Sequence, residues 1–236
     1  ISHYKKRPKT NLNNLLSQLN TSEDDVAVII NDDESLNLEF IKKYSGEKNK
    51  IYFYKRPNTG MNIGSWNAGF KTFNNYEYYI FLQDECKIVL NDFVKKYVYE
   101  LNKSNIGMVG ESINYKWDST WQNIISSPLN YNIGFYNQQN VLKRIDYYFD
   151  CFKLWDIPKG INGIHLRSLV WAFKKKILDQ IGGFPIGTNK EECIAAEISV
   201  SKKVESLGLN IKQINEKPFH YIKHLEWKHD GRSKII

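Results

Sequence analysis

Asp84 and Glu85 are the residues best placed for chemistry, because the apolar run Tyr79-Ile80-Phe81-Leu82 delivers them, with Gln83, to its own C-terminal end. Hard oxygen ligands at a strand end suit Mg2+ or Mn2+, and such ions are usually shared between one or two carboxylates and substrate phosphates. Open α/β sheets keep their ligands at the carboxyl ends of strands. A nucleoside diphosphate carrying a sugar is the ligand this chemistry points to. The plain alternative is that two acids end a strand and meet water, and the rest of the chain has to decide between them.

The elements that must position these acids are legible in the spacing. Pro8 stands at a helix start, and Leu12, Leu15, Leu16 and Leu19 then fall on one helical face. Val26-Ala27-Val28-Ile29-Ile30 is a continuous apolar strand of the kind parallel sheets bury on both faces, and it ends in Asn31-Asp32-Asp33-Glu34-Ser35. A helix with Leu38, Phe40, Ile41 and Tyr44 and a strand Ile51-Tyr52-Phe53-Tyr54 follow. Next come a Gly- and Asn-rich helix start over 58–70, the acid-ended strand, a helix with Phe93, Val94, Tyr97, Val98 and Leu101, and the strand 106–110. This alternation implies an α/β fold with a mostly parallel sheet covered by helices on both faces.

From Glu111 to about Gly163 the periodicity fails and aromatics and amides take over, among them Trp117, Trp121, Tyr147, Tyr148, Phe149 and Trp155. An irregular aromatic segment of this kind suits a carbohydrate acceptor, since sugar C–H faces lie against rings while hydroxyls need hydrogen bonds. It equally suits a small additional core. Regularity resumes with a strand at 169–173, a helix ending at Gly182-Gly183, a last helix over about 191–207 closed by Gly208, and a strand at 209–214.

Composition narrows the class. The 236 residues, 42% of them hydrophobic, suffice for one domain, read as a nucleotide-sugar half over 1–110 and an acceptor and catalytic half over 111–236. A net charge of +7 favours anionic nucleotides and anionic membrane surfaces. No basic stripe interleaves with aromatics on a nucleic-acid-binding motif, so nucleic acid is not an expected partner. Cys86, Cys151 and Cys193 are too far apart for a zinc or redox motif and read as reduced thiols in a cytoplasmic protein. No run is long and apolar enough to span a bilayer, which leaves peripheral association at the inner membrane face as the expected form of any membrane contact. The chain opens at Ile1 on what reads as the end of a strand, so flanking residues are expected.

In this order the motifs resemble an inverting family-2 glycosyltransferase of the GT-A fold, a family that moves a sugar from a nucleoside diphosphate to an acceptor hydroxyl, and the resemblance covers nearly the whole chain. Ser2-His3-Tyr4-Lys5-Lys6-Arg7-Pro8 is similar to the family's opening, and Asn31 to Ser35 to its Asp-Asp-Gly-Ser element. The resemblance implies that Asp32 and Asp33 approach the nucleoside, and that Asn62 and Asn67, in the asparagine–glycine element from Asn58 to Phe70, serve the donor. Gln83-Asp84-Glu85 stands where the family has Asp-x-Asp, which implies Glu85 as first metal ligand and Asp84 as second, also against the donor, with weaker metal affinity than usual. His220 and His224 sit where such enzymes often supply a late metal or diphosphate ligand, and His220 is preferred. Arg167 offers a planar fork for phosphate or a tie between the aromatic segment and the sheet.

The family's Glu-Asp about a dozen residues before a glycine falls, counted back from Gly208, on Ala196 and Glu197, which makes Glu197 the expected general base with Glu191 and Glu192 in reserve. An inverting displacement needs such a base, because the acceptor hydroxyl must lose its proton as it attacks. The implied function is metal-assisted sugar transfer in polysaccharide biosynthesis, to a glycan or glycoconjugate. Its rivals are a retaining transferase, a sugar nucleotidyltransferase and a glycan-binding module without catalysis.

Overall fold

The computed structural model describes residues 1–20, 23–33, 36, 38–44, 50–114, 117, 119–126 and 138–225, with residues 38, 41 and 138–143 described by backbone alone. Three short βα repeats open the chain. Strand β1 (Ser2–Tyr4) leads to α1 (Lys9–Leu19), β2 (Val26–Asn31) to α2 (Leu38–Lys43), and β3 (Ile51–Arg56) to α3 (Met61–Thr72). Leu12, Leu15, Leu16 and Leu19 are all buried, as their spacing requires. Strand β4 (Tyr78–Leu82) follows, then β5 (Cys86–Ile88), α4 (Phe93–Leu101) and β6 (Ile106–Gly110).

The later half adds α5 (Trp121–Ser126), α6 (Gln138–Leu154), β7 (Val170–Lys174), α7 (Lys175–Gln180), α8 (Lys190–Ser206), β8 (Asn210–Gln213) and β9 (Ile222–His224). Strands β1, β2 and β3 pair in parallel, β7 runs antiparallel between β4 and β6, and β8 pairs in parallel with β6. A parallel bridge from Ser2 to Gln83, with the Asp84 N–H donating to the Ser2 carbonyl at 3.0 Å, joins the two groups in the order β3-β2-β1-β4-β7-β6-β8. Only β7 is reversed. The sheet is therefore the mostly parallel α/β sheet that the alternation implies, and the C-terminal ends of β1, β2, β4 and β6 share one edge with the start of β7.

Alternation along the strands splits the core between the faces. Val109, Val170 and Ala172 pack with α1 and α4, while Met108, Trp171 and Phe173 pack with Trp66 and Phe70 of α3 and with α7 and α8. Strand β4 ends at Leu82, so the acids stand at its C-terminal end as expected; a turn at Gln83-Asp84-Glu85 closes with the Cys86 N–H donating to the Gln83 carbonyl at 3.1 Å, and β5 leaves the main sheet to pair with β9. One local expectation changes. The stretch 111–163 is not irregular throughout, since it holds α5 and the 17-residue α6. Ile145, Tyr148 and Phe152 are spaced i, i+3, i+7 along α6 and are buried with Trp117, Trp121, Ala195 and Ile198. The described aromatics there thus build a third core against α8, with Tyr147 exposed. Tyr115, Tyr131, Phe135 and Tyr136 lie outside the described residues.

Candidate active site at the strand-end edge

Register places His3 on β1 between the acid-bearing ends of β2 and β4. Its ring is fully buried, with Nδ1 2.5 Å from Asp84 Oδ2 and Nε2 3.1 Å from Asp33 Oδ2. Both nitrogens face carboxylates, and each makes its hydrogen bond by donating, which only the imidazolium does at both positions. Burial pushes the His3 pKa down, but Asp84 and then Asp33 outweigh it and hold it above the usual histidine value. Two of the three acids expected at the donor, Asp33 and Asp84, are therefore joined to each other through one buried cation.

Asp32 lies just beyond, exposed and at φ 52°, a left-handed conformation that Asp tolerates better than most residues. Its Oδ1 accepts the Asn58 N–H at 3.0 Å. Asp32, Asp33, Lys55, Arg56, Pro57 and Ile30 line an open pocket of about 280 Å3. Gly60, at φ 74°, precedes the first residue of α3, and a Cβ on Gly64 would stand 1.9 Å from the Thr59 carbonyl oxygen. That close approach explains the glycines in the segment.

Glu85 is buried, pairs with Arg7, and lies 3.5 Å from His224 Nε2. His224 thus faces Glu85 where His220 was the preferred residue; the His220 ring packs edge-on against Tyr221, its centroid 4.8 Å away. Asn67 is buried as well, and its Oδ1 accepts the Phe184 N–H at 3.0 Å, so it ties α3 to the turn after α7. Glu191 meets Tyr148 at 3.1 Å and Arg144 at 3.3 Å, while Glu192 accepts from Thr188 and Tyr147, so both fasten α8 to its surroundings.

The second group of polar residues centres on Ser168, just before β7. Its hydroxyl donates to Glu197 Oε2 at 2.5 Å, and its carbonyl accepts from Asn62 Nδ2 at 3.0 Å and Gln83 Nε2 at 2.5 Å. His165 Nδ1 donates to the Gly163 carbonyl at 2.7 Å, which turns Nε2 toward Asn114 Nδ2 at 3.2 Å and Glu197 Oε1 at 3.5 Å. Burial pushes the Glu197 pKa up, but His165, Ser168 and Arg167 together outweigh it and keep the carboxyl below its usual range. The side chain remains 22% exposed. Arg167 acts on Glu197 through its charge, and its backbone N–H donates to the Ser112 carbonyl at 2.9 Å.

Spacing singled out neither His3 nor Ser168 nor His165, and the available signal was weak: a histidine in register with two strand-end acids is informative only once the strand order is known. Among the described residues no three of His, Cys, Asp or Glu are grouped so as to hold a metal ion. Asp84 Oδ2 is engaged by His3 and Glu85 Oε1 by Arg7, so a divalent cation at this edge would be held by these carboxylates together with a diphosphate rather than by protein groups alone.

No protein-family profile matches the chain, and no curated protein matches it. Among solved structures it is similar to a mannosyltransferase from Pyrobaculum calidifontis in complex with GDP-Man and Mn2+, with a TM-score of 0.53 and 14% identity over 89% of this chain. It spans 52% of that chain, about half its length. It is also matched to a cytidylyltransferase from Leptospira borgpetersenii at a TM-score of 0.42 and 12% identity, over 85% of this chain and 63% of that one. At these identities the mannosyltransferase match carries the fold alone.

Proposed function

We propose that the chain transfers a sugar from a nucleoside-diphosphate sugar to a glycan or glycoconjugate hydroxyl, with inversion. One observation carries this reading: Glu197, a carboxylate kept ionised and in part exposed, is two hydrogen bonds, through Ser168, from the Gln83-Asp84-Glu85 turn. A base beside a nucleotide-like edge is what an acceptor hydroxyl needs. In the proposed step the acceptor O–H gives its proton to Glu197 Oε1 as its oxygen bonds to the anomeric carbon. The bond from that carbon to the diphosphate oxygen breaks, and the diphosphate leaves with the electron pair. Asp32 and Asp33, around the pocket with Arg56, serve the nucleoside. Lys5, Lys6 and Arg7, exposed after β1, supply positive charge near the departing diphosphate.

The fold of the mannosyltransferase neighbour supports the reading, and its GDP-Man and Mn2+ make guanosine diphosphate sugars with Mn2+ the first to try. Expected partners are the donor and a carbohydrate acceptor at the inner face of a membrane, in polysaccharide biosynthesis. No described helix is long and apolar enough to cross one. The test is a panel of nucleotide sugars assayed by thermal shift and hydrolysis, with and without Mn2+ or Mg2+, followed by NMR of the product anomer. Stabilisation by one donor and an inverted product support the reading. Release of pyrophosphate from a nucleoside triphosphate and a sugar phosphate, with no response to nucleotide sugars, would replace it by nucleotidyl transfer.

A further inference from the structure

Gln83 is the residue by which this chain departs from an acid at the head of the turn, and its surroundings give the amide a task. Its Nε2 donates to the Ser168 carbonyl at 2.5 Å, beside the 3.0 Å bond from Asn62 Nδ2, so both lone pairs of that oxygen are engaged by amide donors. Its backbone N–H donates to the Leu169 carbonyl at 3.2 Å. The backbone of residues 168 and 169 is thus held from β4 and from the first turn of α3. With that backbone fixed, the Cα–Cβ bond of Ser168 has a set direction, and in the rotamer present its hydroxyl donates to Glu197 Oε2 at 2.5 Å, leaving Oε1 on the side of His165. A carboxylate at position 83 has only acceptors to offer a carbonyl oxygen, so an acid there would break the clamp.

We propose that Gln83 is a positioning residue for the base: by clamping Ser168 it sets the orientation of Glu197, and so couples the turn that carries Asp84 and Glu85 to the carboxylate that receives the acceptor's proton. The proposal rests on the reading of Glu197 as that base. The charged and titratable groups facing Glu197 are His165 and Arg167, on the segment before β7, and Tyr148 of α6, so Gln83 acts on it through Ser168 without adding charge.

Gln83→Met tests the clamp, since Met keeps the length, removes both donors and adds no charge. Ser168→Ala removes the hydroxyl, and Glu197→Gln serves as reference. Three quantities are measured on folded protein: the Glu197 carboxyl titration by NMR of 13C-labelled glutamate, nucleotide affinity by calorimetry, and kcat and KM against pH with the donor found in the panel. The expected result is a Glu197 titration moved to higher pH in both Gln83→Met and Ser168→Ala. With it, the acid limb of kcat moves the same way and kcat falls roughly tenfold to a hundredfold, at unchanged nucleotide affinity. An unchanged Glu197 titration in Gln83→Met overturns the proposal whatever the activity. An unchanged kcat in Gln83→Met overturns it too, and Glu197→Gln then tells which premise failed. If that variant is inactive the base reading stands without Gln83; if it is active the base reading itself has fallen.

Discussion

His3 Nδ1 lies 2.5 Å from Asp84 Oδ2, and this contact between β1 and the turn after β4, continued to Asp33 on β2, binds three strand ends into one buried ionic group. Removing one partner of such a group leaves uncompensated charge, and measured costs for that are about 3–5 kcal/mol. His3→Ala should lose that much stability in urea denaturation, because Asp33 and Asp84 would then face each other unscreened. A loss under about 1 kcal/mol, the range of exposed pairs, would contradict the arrangement.

Glu111, just after β6, gives a pH signature of its own. It accepts from Tyr97 Oη at 2.8 Å and from the Ile222 and Tyr221 N–H groups at 3.1 and 3.3 Å, yet burial outweighs these bonds and pushes its pKa up from 4.5 to about 7. A carboxyl whose folded pKa is raised holds a proton that the unfolded chain releases, so its contribution is complete below the unfolded value and is lost as pH rises toward 7. The urea midpoint of the wild type should therefore fall between pH 4.5 and 7 more steeply than that of Glu111→Gln. His3 acts in the same direction in both proteins, so the difference isolates Glu111. Parallel slopes would contradict the assignment.

Asn67 separates packing from recognition. Its Oδ1 is the acceptor for the buried Phe184 N–H, so Asn67→Ala should cost about 1–3 kcal/mol of stability for the unpaired amide. Nucleotide affinity, measured by calorimetry on the folded variant, should not change. A stable variant that has lost nucleotide binding would return Asn67 to the donor site.

The sheet was legible in the sequence because Val26–Ile30 is a continuous apolar run and the leucines of α1 recur at helical spacing, so strand and helix alternate along the chain. Helix α6 was hidden because its buried positions, Ile145, Tyr148 and Phe152, are interspersed with other aromatics, so the apolar stripe has little contrast. Within the candidate site, Asp32, Asp33 and Asp84 could be located along the chain, since strand ends are local properties, while Glu197 was reached through the family resemblance, counted back from Gly208. Their partners could not. His3, Ser168 and His165 act across 29 to 81 residues of sequence, and which strands are neighbours is a property of the sheet order alone.

Asp32 is the exposed acid of the pocket and has few structural ties, so its replacement reads recognition more cleanly than that of the buried Asp33. Asp32→Asn keeps the acceptor for the Asn58 N–H but removes the charge. Hydrogen bonds to a charged group contribute about 1.5–3 kcal/mol, so affinity for the nucleotide alone should fall roughly tenfold or more. An effect confined to the acceptor would contradict a nucleoside role.

In the proposed reaction Glu197 accepts the acceptor's proton, and Glu197→Gln isolates that role, because glutamine keeps the size and still accepts from Ser168 but cannot take up the proton. The measurement is sugar transfer and donor affinity on the same preparation. Donor affinity is expected within about twofold of wild type and transfer reduced by roughly 10²–10⁴, the usual share of general-base catalysis. Transfer within about tenfold of wild type, with donor bound as before, would contradict it.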